Sequence, residues 1–236
     1  HQPLLNVEAI RRRQSAIQEW KEDAYARREL RETLAQTYDI ERLAARISTG
    51  RTNPRDLASL RETLRQLPPI KARLTARTAS LNADLEASID LMPDIRVDLE
   101  KIIVDEPPFT VREGGIIKAG VHPELDELFD IASGGKQWIA QFQKSEIERT
   151  GIANLKVGFN KVFGFYLEVP HSAQSKVPAT YIRKQTVKNA ERYITDELKQ
   201  YEQKVLGAEE RSKSLEYEIF QQLREKIAAQ THRLQS

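Results

Sequence analysis

The chain has no cysteine, which excludes disulfides and thiolate metal sites and says nothing positive about compartment. It has no run of about 18 apolar residues, so it offers no transmembrane helix. It shows no basic, apolar, small-residue leader of the kind that directs secretion. The histidines His1, His122, His171 and His232 are scattered, without metal-ligand spacing, and no Ser-His-Asp grouping can be read. A phosphate loop is also missing: Ser133-Gly-Gly-Lys136 is followed by Gln137 and lacks the upstream glycine. Hydrophobic residues make up only 39% and charged residues 31%. That balance suits long helices with one buried stripe better than a compact globule. The 236 residues suffice for one large domain or two modest ones. The opening His1-Gln2-Pro3 carries no initiator Met, which points to a piece of a longer protein, with His1 a tag remnant.

What is present is mostly helical in pattern. Val7, Ile10, Ile17 and Trp20 fall on one face, crossed by Arg11, Arg12 and Arg13, which read as a solvated helix face. A second helix begins at Asp39. Asn53 is placed to cap a third, with Pro54 at its first position and Leu57, Leu60, Leu64 and Leu67 following at spacings of three and four. Pro68-Pro69 is expected to interrupt it, with a further helix from Ile70 to Ala87. Asp105-Glu-Pro-Pro108 reads as a linker and Val111 to Ile117 as a glycine-punctuated extended segment. Beyond Pro123, Leu125, Leu128, Ala132, Gly135, Ile139 and Phe142 keep a coiled-coil seam, predicting one continuous helix to about Arg149 despite Gly134-Gly135. Thr195 caps another helix whose seam is Leu198, Tyr201, Val205, Ala208, Leu215 and Ile219, running to about Arg233. Such helices are about 40 Å and 55 Å long and should pair antiparallel.

Between them lies a different kind of sequence. Leu155, Val157 and Phe159 alternate with Lys156, Gly158 and Asn160, the period of a half-buried strand. Phe165 to Val169, Ile182 to Val187 and Ala190 to Ile194 are three more extended runs. Reversals near Lys161 and at Lys188-Asn189 are expected at the same distal end, with Asn189 supplying a left-handed turn residue. From Leu155 to Arg192 seven Lys or Arg face two Glu, a local balance of +5, whereas the whole chain carries +2 and the remainder therefore −3. A basic, aromatic β island between long helices is a surface suited to a polyanion. Of Phe159, Phe163, Phe165, Tyr166 and Tyr181, about half are expected in the sheet's own core.

These residues carry a resemblance. Val111-Arg-Glu-Gly-Gly-Ile, Gly120-Val-His-Pro-Glu-Leu-Asp-Glu-Leu, Lys156-Val-Gly-Phe-Asn-Lys-Val-Phe-Gly-Phe-Tyr, Tyr181-Ile-Arg-Lys-Gln-Thr-Val-Lys-Asn-Ala-Glu-Arg-Tyr-Ile-Thr-Asp-Glu-Leu-Lys and Leu206-Gly-Ala-Glu-Glu resemble the MutS family of bacterial DNA mismatch-repair proteins. The opening Gln2 to Gln14 is similar to the start of that family's helical core. Members that lack the clamp would not contain residues 155 to 195, which favours the mismatch-repair branch. Asp196 stands where many relatives have Pro, and both suit a first turn.

The resemblance implies a mainly α fold: a helical core, or lever, with a long antiparallel helix pair carrying a small antiparallel β-sheet, the clamp, at its tip. Residues 1–122 would belong to the core, 123–212 to the clamp with its sheet at about 153–195, and 213–236 to a helix returning to the core. It implies non-sequence-specific gripping of double-stranded DNA, non-enzymatic in this portion, which has neither a Phe-x-Glu mismatch-reading motif nor an ATPase site. The whole protein would be a DNA-dependent ATPase using ATP and Mg, a homodimer, a partner of other mismatch-repair proteins such as MutL, and a bacterial cytoplasmic protein associated with the nucleoid, without a membrane partner. By family pattern and side-chain chemistry, the expected DNA contacts are Asn160, Lys161, Arg183, Lys184, Lys188, Asn189 and Arg192. Structural explanations stand beside them: the two Asn can serve tight turns, Arg192 can pair with Glu191, and the cations can keep an edge sheet soluble. The alternative function is a structural coiled-coil adaptor whose β tip binds a protein.

Overall fold

The computed structural model describes residues 4–75 and 77–234, with backbone alone at Lys136. The expectations on His1, Gln2 and Pro3 lie outside it. The helices are α1 (Val7–Glu22), α2 (Ala24–Leu34), α3 (Ile40–Ser48), α4 (Pro54–Thr75), α5 (Ser80–Ser88), α6 (Pro93–Ile102), α7 (Pro123–Ser133), α8 (Gly135–Thr150), α9 (Asp196–Ala228) and α10 (Thr231–Leu234). The strands are β1 (Lys156–Asn160), β2 (Gly164–Pro170), β3 (Ile182–Val187) and β4 (Ala190–Ile194), so the fold is mainly α with one small antiparallel sheet, as expected. No helix among the described residues is long and apolar enough to cross a membrane. The chain divides into two compact units, residues 1–121 with 216–236, and residues 122–215.

In the first unit, α4 starts as Asn53-Pro54 predicts. The Asn53 side chain accepts the Asp56 N–H at 2.9 Å, and the Asp56 carboxylate accepts the Asn53 N–H at 2.9 Å, a reciprocal cap. The expected break at Pro68-Pro69 does not occur: α4 runs through both to Thr75. The prolines deprive the Leu64 and Arg65 carbonyls of intrahelical donors. Burial of Leu57, Leu60 and Leu64 before them and Ile70 and Leu74 after them on one stripe outweighs that loss. The predicted helix Ile70–Ala87 is therefore the end of α4 followed by α5, with Ala76 outside the described residues.

The segment read as a linker is held firmly. Arg61, 2% exposed, donates Nη1 to the carbonyls of Ile103 (2.9 Å) and Val104 (3.1 Å) and Nη2 to that of Asp105 (3.0 Å). Val111–Ile117 is not extended throughout. It opens with a 3-10 turn over Val111–Glu113, closed by a Thr110–Glu113 capping box. Gly114 and Gly115 follow at φ of 74° and 72°, and only then does Ile117 bridge to Ile103. The buried Glu216 carboxylate gathers the N–H groups of Gly115 (2.8 Å), Ile116 (2.7 Å) and Ile117 (2.9 Å).

In the second unit, the single helix expected from Pro123 to Arg149 is divided at Gly134. Gly134 has ψ −8°, a tightened turn in which a Cβ would stand 2.9 Å from the Asp130 carbonyl oxygen, so glycine suits it. The pairing with α9 is antiparallel, as the two seams predict. Arg211 pairs with Glu124 at 3.0 Å and Tyr201 stacks on Trp138 at 3.6 Å, so position falls along α9 as it rises along α7 and α8. Trp138 also stacks on Phe142. Thr195 caps α9 by accepting the Leu198 N–H at 3.2 Å, and the helix ends at Ala228 rather than near Arg233.

Candidate nucleic-acid interface

The sheet forms where α8 ends and α9 begins, in the order β1-β2-β4-β3, all antiparallel. Gly151, at φ 66°, turns the chain out of α8. Alternation then sends Leu155, Leu167, Val169 and Tyr193 to one face, where they bury against Phe142, Ile152, Tyr181 and Leu198. Polar groups on that side are satisfied internally. Arg149 donates twice to Glu146 at 2.8 Å, and the Tyr181 hydroxyl also bonds Glu146. The Arg149 hydrogen bonds hold the Glu146 carboxyl below its ordinary range, while burial and the Glu146 bond push the Tyr181 hydroxyl up. Buried Glu191 accepts from the Tyr193 hydroxyl at 2.8 Å and from Arg183 at 3.4 Å. Phe165 and Tyr181 belong to this core or its edge, while Phe159 is 57% exposed.

The other face is open and polar. In register across all four strands stand Lys156, Glu168, Arg192 and Gln185. Arg192 donates Nε to Glu168 at 3.0 Å and Nη1 to Gln185 at 2.9 Å, and its guanidinium lies 4.5 Å from the Tyr166 ring centroid. The expected alternative for Arg192, a local pair with Glu191, is thus replaced by a cross-strand pair. Glu191 points to the buried side because neighbours in a strand alternate.

The seven predicted residues are not brought together at one end. The turn over residues 161–163 joins β1 to β2 beside Gly164, where an added Cβ would run into the Glu202 carboxylate of α9. Lys188-Asn189 joins β3 to β4 beside Pro170, since Val187 pairs with Ala190 and Ala190 with Pro170. The two reversals therefore sit at opposite ends of β2, about 20 Å apart at 3.3 Å per residue. The shared distal end expected from the sequence is corrected: β4 inserts beside β2 and sends its hairpin the other way. Arg192 lies between the two ends. Arg183 is engaged with Glu191, and Lys184 is the extra residue of a bulge between Arg183 and Gln185. Lys156, Lys161, Lys184 and Lys188 are exposed and hold no ion pair among the described residues.

The two asparagines differ. Asn160 Oδ1 accepts the Val162 N–H at 2.8 Å, so its turn explains part of its identity and leaves the amide N–H groups free. Asn189 was expected to supply a left-handed residue. Met92 is the only non-glycine at positive φ among the described residues, so the Lys188-Asn189 turn needs no such residue. The Asn189 side chain makes no hydrogen bond among them either. Lys156, Glu168 and Gln185 were not predicted as site residues. The period of two in β1 marks the face of Lys156, but the register that lines it up with the other two cannot be read from local sequence.

Residues 120–211 match MutS family domain IV. Nearly the whole chain is similar to proteins named DNA mismatch repair protein MutS. That of Acetivibrio thermocellus is 49% identical over 100% of this chain and 27% of its own length. Those of Rhodopirellula baltica and Methanosarcina acetivorans are each 48% identical, over 94% and 99% of the chain and 25% and 26% of their own lengths. The chain belongs to the MutS family. It spans about a quarter of the length of these curated relatives. The domain IV match covers nearly all of the second unit, residues 122–215, and the similarity to MutS relatives continues through the first.

Proposed function

We propose that the second unit grips the backbone of double-stranded DNA without reading its sequence, as the clamp of a mismatch-repair protein, and that the first unit is part of the lever carrying it. The four lysines that hold no anionic partner among the described residues, all on one small sheet, carry this reading. Cations, amide groups and backbone N–H groups in turns are the groups that meet phosphate oxygens. Lys161 with Asn160 at one end, Lys188 with Asn189 at the other, and Arg192 between them are the proposed contacts, with Arg183 and Lys184 secondary. Ends about 20 Å apart engage different phosphates. In the whole protein this grip would serve mismatched-DNA binding coupled to ATP-driven motion, with ATP and Mg bound outside this chain, in a cytoplasmic homodimer that meets MutL.

A duplex titration tests the reading. Affinity should be equal for matched and mispaired duplexes, and the log–log salt slope between about 50 and 200 mM should be near −3. Lys188→Ala should flatten that slope by about one unit, and Arg11→Ala should change neither slope nor affinity. Arg192→Ala is a poorer test of charge than its sequence suggests, because Glu168 already balances it. No binding at about 50 mM salt, even with added positive charge on the sheet, would instead favour the adaptor that docks a protein there.

A further inference from the structure

Glu168 is the single acidic side chain in the row Lys156, Glu168, Arg192, Gln185 that crosses the open face. Its Oε2 accepts from Arg192 Nε at 3.0 Å, while Gln185 takes Nη1 at 2.9 Å. Tyr166 supports the guanidinium from below, and its ring lies flat because the residue opposite is Gly158. A Cβ at Gly158 would stand 2.6 Å from the Tyr166 Cζ. Arg192 is therefore held from three directions, yet three of its five N–H donors have no acceptor among the described residues. The Arg192 and Glu168 side chains are 22% and 32% exposed, so solvent and ligands reach the pair.

We propose that Glu168 is a built-in competitor for phosphate at Arg192, which holds down the affinity of the sheet for DNA. The inference rests on the reading of this sheet as a DNA-backbone grip. A carboxylate and a phosphate approach a guanidinium through the same planar fork. A phosphate arriving at Arg192 must displace the carboxylate or bind beside a like charge. The pair is already neutral, so engaging Arg192 releases little of the counterion atmosphere that drives association. With Glu168 the row sums to +1, and with Gln in its place to +2. A Gln side chain still accepts from Nε, so Arg192 keeps its orientation while the competing charge is removed.

The test compares the chain and its Glu168→Gln, Arg192→Ala and double variants on one matched duplex at two salt concentrations. Glu168→Gln should tighten binding about three- to tenfold at about 50 mM salt and steepen the salt slope by about one unit. In the Arg192→Ala background the same change should gain much less, because no guanidinium is left to free and only a like charge is removed. An unchanged thermal midpoint would show that the variants are folded. Unchanged or weaker binding by Glu168→Gln would overturn the inference and leave the grip reading intact, since it would mean that Glu168 merely positions Arg192. If the parent chain does not bind but Glu168→Gln does, the inference is upheld. If neither binds, the grip reading falls and takes the inference with it.

Discussion

Asn189 occupies a turn at negative φ with its side chain unbonded among the described residues, so neither backbone conformation nor a local hydrogen bond accounts for an amide there. Asn189→Ala should therefore leave stability within about 0.5 kcal/mol of the parent, as for other surface changes. It should weaken DNA binding without altering the salt slope, because no charge is removed; thermal unfolding and the duplex titration read the two effects. Glu19 is the opposite case, a residue bound entirely to its own protein. Its carboxylate accepts the N–H groups of Thr78 (2.6 Å) and Ala79 (3.1 Å), the Asn82 amide (2.8 Å) and the Thr78 hydroxyl (3.1 Å). These bonds, the Thr78 N–H foremost, lower its pKa from 4.5 to about 2. The folded value lies below the unfolded one, so this stabilisation is complete above about pH 5 and is lost as pH falls towards 2. Glu19→Gln should lower stability by about 1–2 kcal/mol at neutral pH. The gap to the parent should close as thermal unfolding is repeated at lower pH.

The β1–β2 hairpin depends on Gly164, at φ 80°, where an added Cβ would also meet the Glu202 carboxylate. Gly164→Ala combines left-handed strain with a steric shift, and should cost about 1–3 kcal/mol. Circular dichroism and thermal unfolding would register it. A neutral result would mean that the turn relaxes away from α9. Helix α4 makes a complementary point. Two adjacent prolines normally end a helix, yet a stripe buried on both sides of them carries it through. At Gly134 no buried stripe of that kind is present: Leu125 is the only buried residue of α7, and the helix parts there.

Helix α9 contributes to both units, and Glu216 is its fastening in the first. Replacing it by Ala leaves the buried N–H groups of Ile116 and Ile117 without an acceptor, each a penalty of about 1–3 kcal/mol, and turns that of exposed Gly115 to solvent. Glu216→Ala should accelerate hydrogen exchange at Gly115, Ile116 and Ile117 more than tenfold. Amides of β2 and β4 should be unaffected, because they belong to the other of the two compact units. Equal acceleration in the sheet would show that the two unfold together.

The sequence by itself determined the helical character of most of the chain, the Asn53 and Thr195 caps, the antiparallel seams, the place of the four strands and the family. These signals are local: a period of 3.6 or 2, a capping side chain next to the turn it closes, a long ordered motif. The candidate site was half legible. Its basic balance and exposed lysines could be counted, but their arrangement could not. Strand order and register decided that the two reversals lie at opposite ends of β2, that Arg192 meets Glu168 instead of its neighbour Glu191, and that Lys156 joins their row. The grips of Arg61 on residues 103–105 and of Glu216 on residues 115–117 were likewise invisible. Pairings between residues 24 to 101 positions apart leave no local periodicity. They are chosen only when burial of the whole stripe or sheet face makes one register lower in free energy than its neighbours.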